Sequence, residues 1–323
     1  MKVLITGGTG FIGSRLAYRC KQRGDEVVIL AQVNTAAEKE NTKELEKQGF
    51  TIVVGGVSEK EKVEQAVDGC DVVFHLAAAQ HEANVADQHF WDVNVEGTRN
   101  LLDASIKANI KRFVHGSTIG VYGVEMQGEL SETSPLKPDN IYGVTKKAGE
   151  ELVLSYKDKL PVTAIRISET YGPGDRRLLK LFKGIKKRKF FVIGDGENKH
   201  QLIYVDDLID GMFLAAEKEA ALGEVFVLAG DEVLRVVSKR LSSVLRDTDV
   251  LGRYGGEEFI IALPETDMEG AIVVAERLRK VIESEPIEAE GETLSIAISL
   301  GVTEMYETTL AYAQLIAEAD LAL

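Results

Sequence analysis

Short apolar runs recur along the first 230 residues: Lys2–Thr6, Glu26–Leu30, Thr51–Val54, Val72–Leu76, Arg112–His115, Val162–Ile167 and Val225–Leu228. Between most of them lie stretches whose apolar positions repeat at helical spacing, at Ser14–Arg23, Lys60–Val67, Thr98–Ala108 and Tyr142–Tyr156. Strands alternating with helices predict an α/β fold on a doubly wound parallel sheet. Such a sheet is covered on both faces, so its strands read as unbroken apolar runs. Its ligands bind at the carboxyl ends of the strands.

Past residue 230 the rhythm changes. Glu232–Arg246 sets Leu234, Val237, Leu241 and Leu245 on one helical stripe. Val250–Tyr254 and Phe259–Leu263 flank Gly255-Gly256, which predicts a hairpin. Asp267–Glu283 is an amphipathic helix through Met268, Ile272, Ala275, Leu278 and Ile282; Leu294–Val302 alternates as a strand, and Thr309–Leu323 closes as a helix. This is an α+β segment, distinct from the alternation before it.

Charge marks the same boundary. Residues 1–230 hold 30 Lys/Arg against 33 Asp/Glu, a net of −3, whereas 231–323 hold 8 against 19, a net of −11. The expected domains are therefore 1–230 and 231–323. An acidic chain without a basic face is not expected to bind nucleic acid. The apolar runs are too short for a membrane span, and the chain opens on a strand rather than a signal peptide. A cytoplasmic protein is expected, with Cys20 and Cys70 as buried thiols.

The candidate chemistry begins at Gly7-Gly8-Thr9-Gly10-Phe11-Ile12-Gly13, with a strand before it and a helix after it. Glycines at that turn let the backbone approach a pyrophosphate seated on the helix N-terminus. A second signal is Tyr142 and Lys146, four apart and so on one helical face. A lysine ammonium beside a phenol favours the phenolate. Such a tyrosine can pass a proton to or from a substrate hydroxyl while hydride moves to nicotinamide. Ser117-Thr118 ends a strand 24 residues before the tyrosine, with hydroxyls able to orient the same oxygen.

More motifs run through this segment: His75-Leu76-Ala77-Ala78, Asn94-Val95-Glu96-Gly97-Thr98, Val121-Tyr122-Gly123, Tyr171-Gly172-Pro173-Gly174-Asp175 and Tyr204-Val205-Asp206-Asp207. With these, residues 1–230 resemble an extended short-chain dehydrogenase/reductase of the NAD-dependent epimerase/dehydratase family. The resemblance implies a Rossmann fold, a nucleotide-sugar substrate and a homodimer through the Tyr142 helix. It implies Tyr142 as catalytic acid/base, Lys146 as its partner and holder of the nicotinamide ribose, and Thr118 as the catalytic hydroxyl. Gly7, Gly10, Phe11, Ile12, Gly13, Gln32, Ala77, Ala78, Asn94, Tyr142 and Lys146 would meet the cofactor.

Several positions depart from the family pattern. The second strand ends Leu30-Ala31-Gln32, without an acid for a ribose 2′-hydroxyl or an arginine for a 2′-phosphate. NAD is the expected cofactor, with NADP left open. Gly56-Val57 replaces a Gly-Asp contact to adenine, and Ile167-Ser168-Glu169 replaces a run with proline and asparagine. His200 stands where an arginine often holds the substrate diphosphate; it reads equally as a surface histidine. His75, at a strand end, reads as structural.

Residues 231–323 resemble the later part of a GGDEF diguanylate cyclase domain, through Gly255-Gly256-Glu257-Glu258-Phe259 and Arg246-x-x-Asp249. By that resemblance Glu257 and Glu258 serve metal and catalysis, and Arg246 with Asp249 binds cyclic di-GMP. The family's first strand and helix, with their metal-binding aspartates, have no counterpart upstream, and the closing elements are short. Two carboxylates alone make a poor two-metal site, so no metal centre is expected. Three readings result. One is an NAD(P)-dependent sugar-nucleotide oxidoreductase or epimerase with a rebuilt substrate lobe; another is a cyclic-di-GMP-binding or cyclase module. The third is a recombined or engineered chimera, joined at Gly230-Asp231-Glu232, with neither half active.

Overall fold

The computed structural model describes residues 1–80, 85–124, 130–176, 183, 201–230, 232–255, 257–289, 292–305 and 312–322. The chain divides into two compact units, Met1–Ala229 and Gly230–Leu323.

All seven apolar runs of the first unit are strands: β1 (Lys2–Thr6), β2 (Glu26–Ala31), β3 (Thr51–Val54), β4 (Val72–His75), β5 (Arg112–Thr118), β6 (Val162–Ile167) and β9 (Val225–Leu228). They form one parallel sheet in the order β3-β2-β1-β4-β5-β6-β9. The order reverses at β1, which places the switch point between β1 and β4 at the end of the glycine turn. A smaller parallel pair, β7 (Glu169–Tyr171) and β8 (Leu202–Tyr204), lies beyond β6 in sequence.

Alternation along the strands divides the core in two. Val3, Ile5, Val27 and Ile29 pack with Leu16 and Cys20 of α1 (Phe11–Gln22) and with Leu208, Met212 and Phe213 of α7 (Val205–Glu217). Leu4, Val28, Leu30 and Val73 pack on the other face. There they meet Val63 of α3 (Lys60–Val67), Leu101 and Leu102 of α5 (Thr98–Lys107) and Val153 of α6 (Ile141–Leu154). Both cysteines are buried and unpaired, and burial pushes the Cys20 thiol up to about 12 and that of Cys70 to about 11.

Among the described residues, two helices of this unit escape the apolar pattern. α2 (Ala36–Lys47) buries only Thr42 and Leu45, and is started by a capping box of Thr35 and Glu38. α4 (Asp87–Trp91) runs into a π-helical turn, Asp92–Gly97, which precedes α5.

The second unit has α8 (Glu232–Ser242), the hairpin β10 (Val250–Gly255) with β11 (Glu258–Ala262), α9 (Met268–Glu283) and α10 (Tyr312–Asp320). Val237 and Leu241 of α8 and Val274, Leu278 and Ile282 of α9 are its buried centre. The strand predicted over 294–302 is a correction. Only Glu292–Leu294 (β13) is paired, against Ile287–Ala289 (β12). Ile296, Ile298 and Leu300 still pack on the core. The run keeps its period of two but finds no ladder partner among the described residues.

Candidate functional site

The site is built where β1, β4 and β5 end. β1 runs into Gly7, which has φ +71°; a Cβ there would stand 2.9 Å from the Ala77 nitrogen. At Gly13 a Cβ would lie 2.4 Å from the Gly7 carbonyl oxygen and 2.8 Å from Gly8 Cα. Only glycine lets α1 start this close to the strand. Gly10 is the N-cap of α1 and brings no side-chain cap to it. The first-turn N–H groups, those of Phe11, Ile12 and Gly13 among them, have no partner within the helix. A bare, glycine-lined helix start of this kind fits a pyrophosphate. Asn41 of α2 secures the loop, its amide donating to Thr9 O at 2.8 Å.

A chain of hydrogen bonds fixes the exit of β4. The N–H groups of Leu76 and Ala77 both donate to Thr6 Oγ1 at 3.1 Å. The Thr6 hydroxyl proton therefore goes to His75 Nδ1, 2.7 Å away. His75 Nε2–H then meets Thr98 Oγ1 at 2.9 Å, and Thr98 donates to Asn94 O at 2.8 Å. Burial, aided by Lys146, pulls the His75 imidazolium down to about 3, so the ring is neutral and structural. Asn94 accepts from Ala79 N–H at 2.9 Å and donates to Ala79 O and Thr145 Oγ1. Its amide joins the segment after β4, which carries Ala77 and Ala78, to α6. Gln32, exposed after β2, accepts from Asn34 Nδ2 at 3.0 Å. Its Nε2 lies 2.5 Å from where a Gly56 Cβ would be.

α6 carries Tyr142 and Lys146, the pair expected from the sequence. Asn140 caps it by accepting from Gly143 N–H at 2.9 Å. Its first turn presses on the 3₁₀ turn after β5, where a Gly143 Cβ would be 2.8 Å from Gly120 O. Thr118, the last residue of β5, hydrogen-bonds the Tyr142 phenol; burial pushes that phenol up, and the Thr118 bond pulls it down. Lys146 is 3% exposed and donates from Nζ to Gly116 O at 2.5 Å. Burial pulls its ammonium down to about 8, against the attraction of Glu150.

Glu150 and its partners were not visible as site residues in the sequence. Ser117 Oγ donates to Glu150 Oε2 at 2.6 Å, and Arg166 of β6 donates Nη2 to Oε1 at 2.7 Å. Arg166 Nη1 reaches the Tyr122 hydroxyl at 2.7 Å and Glu132 O at 2.9 Å. The available signal was spacing: Glu150 follows Lys146 by four and Tyr142 by eight, on one face.

The remaining candidates are less engaged. His200 lies outside the described residues, as does Gly256 of the hairpin. Glu257 and Glu258 are exposed. Asp249 Oδ2 accepts from the Arg246 backbone N–H at 2.8 Å. Among the described residues no three His, Cys, Asp or Glu side chains gather to hold a metal. None of the described helices is long and apolar enough to cross a membrane.

Residues 3–229 match the model of the NAD dependent epimerase/dehydratase family. The chain belongs to that family. The epimerase/dehydratase unit is followed by a match of residues 227–323 to the GGDEF domain of diguanylate cyclases, so two domains are fused in this chain. Among relatives of the epimerase/dehydratase type, the low-salt glycan biosynthesis protein Agl12 of Haloferax volcanii is 32% identical over 80% of this chain and 84% of its own length. The dTDP-D-glucose 4,6-dehydratase of Mus musculus is 29% identical over 77% of this chain and 74% of its own. A crystal structure of UDP-glucuronic acid 4-epimerase from Bacillus cereus, in complex with UDP-glucuronic acid and NAD, superposes with a TM-score of 0.64 at 29% identity. It covers 75% of this chain and 83% of that one.

Proposed function

We propose that residues 1–230 bind NAD and act as a sugar-nucleotide epimerase or dehydratase, with residues 231–323 as a separate module. The observation that carries this reading is the Thr118–Tyr142 hydrogen bond, with Lys146 one helical turn on. It stands beside a glycine-lined helix start that fits a dinucleotide. Gly7, Gly10, Phe11, Ile12 and Gly13 would hold the pyrophosphate, Gln32 the adenosine ribose, and Ala77, Ala78 and Lys146 the nicotinamide half. When bound, NAD supplies an acceptor for a substrate hydride. Tyr142 exchanges the proton of the substrate hydroxyl, and Thr118 orients the phenol and the same oxygen. A phenol pushed up by burial holds its proton tightly, so its readiness as a base depends on Thr118 and on a cation nearby. Relatives named for dTDP-glucose and UDP-glucuronic acid support a nucleoside diphosphate sugar as substrate.

The test is a fluorescence titration of folded protein with NADH and NADPH, followed by turnover on a panel of UDP- and dTDP-sugars. Folded protein that binds neither dinucleotide ends the proposal. For 231–323, the GGDEF match supports cyclic di-GMP binding at Arg246 and Asp249. Calorimetry of the parent and of Arg246→Ala decides it, and no heat in the parent removes it.

A further inference from the structure

We propose that Glu150 is the positioning residue of the helix that carries Tyr142 and Lys146. Its carboxylate ties that helix to the ends of β5 and β6, and it is the negative charge that the buried Lys146 ammonium faces. The inference rests on the assignment of Lys146 proposed above.

The tie is geometric. Ser117, which precedes Thr118, donates to Oε2 at 2.6 Å. Arg166 grips both oxygens, with Nη2 2.7 Å from Oε1 and Nε 3.2 Å from each. Fork contacts of this kind fix direction as well as distance. The Arg166 Nη1 is held in turn by Tyr122 Oη and Glu132 O, so the guanidinium has no freedom to follow a wandering helix. The side chains are 5% and 1% exposed, for Arg166 and Glu150.

A buried ion pair is weak evidence for stability, since apolar side chains of like volume do as well. This pair differs from a stability device in its neighbours. Lys146 is faced from its own helix by Glu150. From β5 it meets His115 and the Gly116 carbonyl, from β4 His75, and from β6, beyond Glu150, Arg166. His75 and His115 are buried, and their charging is opposed by burial and by Lys146. Glu150 is the one anion in this set. Neutralising it removes the attraction on Lys146 and leaves the Arg166 cation unbalanced. Both changes disfavour the ammonium.

The decisive measurement is the titration of Lys146 in protein labelled with ¹³C at lysine Cε, its signal assigned by loss in Lys146→Met. In the parent the midpoint is expected near about 8. In Glu150→Gln it falls by about one unit or more, while Glu150→Asp, which keeps the charge, stays within about half a unit. NADH affinity at pH 7.5 weakens about three-fold in Glu150→Gln, as a one-unit fall takes the Lys146 ammonium from about three quarters to about one quarter of the population. A folded Glu150→Gln whose Lys146 midpoint is unchanged overturns the proposal and leaves Glu150 a packing residue. Should that variant unfold, Glu150→Gln combined with Arg166→Met removes the orphaned cation and is read in the same way. If Lys146→Met leaves NADH affinity intact, the assignment of Lys146 fails instead; the NMR midpoint is measured without cofactor and separates the two failures.

Discussion

Gly13→Ala tests the glycine cradle at its tightest point. The new Cβ would meet Gly7 O at 2.4 Å and Gly8 Cα at 2.8 Å, both backbone atoms that cannot rotate away. Restoring ordinary contact moves the start of α1 outward by about 1 Å. Overpacking of this kind costs about 1–3 kcal/mol, and each kcal/mol lowers Tm by about 2–4 °C in a unit of this size. The larger effect falls on binding. Helix N–H groups that donate to a charged phosphate contribute about 1.5–3 kcal/mol each, so losing one weakens NADH by roughly ten- to a hundred-fold. Gly24→Ala is the control. Gly24 has φ +84° with nothing within 4 Å of its added Cβ, so it loses about 1–2 kcal/mol to backbone strain alone. The two variants are alike in melting temperature and differ in affinity. Thermal melts and NADH fluorescence titrations of both decide the matter. If Gly13→Ala binds NADH as the parent does, the helix start is not the dinucleotide site.

Tyr142→Phe is expected to abolish sugar-nucleotide turnover while NADH still binds within about two-fold; residual turnover above a percent of the parent refutes the proton-transfer role. Arg166→Met leaves the buried Glu150 carboxylate without its guanidinium partner and lowers stability by about 3–5 kcal/mol, read by urea unfolding. Joint replacement with Glu150→Leu recovers most of the loss, and a larger deficit in the double variant contradicts the ion-pair account. His75 is held neutral when folded, its pKa depressed to about 3 against an unfolded value of 6.5. Its contribution is therefore complete above pH 6.5 and is lost as pH falls from there towards 3, with His115 acting in the same direction. His115 ring nitrogens have no partner among the described residues. His115→Leu should thus flatten the fall in Tm below pH 6.5 by about one proton, and an unaltered slope disproves its neutral burial.

The seven-stranded sheet was legible because its inner strands are buried on both faces and are therefore mostly apolar. The close packing of the glycine turn and the meeting of Thr118 with Tyr142 were legible because backbone geometry restricts residue type at the turn and helical spacing sets which side chains share a face. α2 was not, since its sequence AAEKENTKELEK buries two residues; its one clear signal was Thr35 with Glu38. The role of Glu150 was hidden for another reason. A glutamate on a helix reads as solvated, and what buries this one comes from β5 and β6, 33 and 16 residues away. The misread strand over 294–302 shows the converse. Alternation reports which side chains turn inward and carries no information on whether a neighbouring backbone is there to bond.

That run has a consequence outside catalysis. Along residues 295–300 exposed positions alternate with the partly buried Ile296, Ile298 and Leu300, outside any ladder among the described residues and flanked by Leu294 at 39% exposure. Apolar side chains at alternate positions are a pattern that another extended chain can pair with. A lysine placed at Ser295 or Ala297, on the outward positions, is the change that would blunt such self-association.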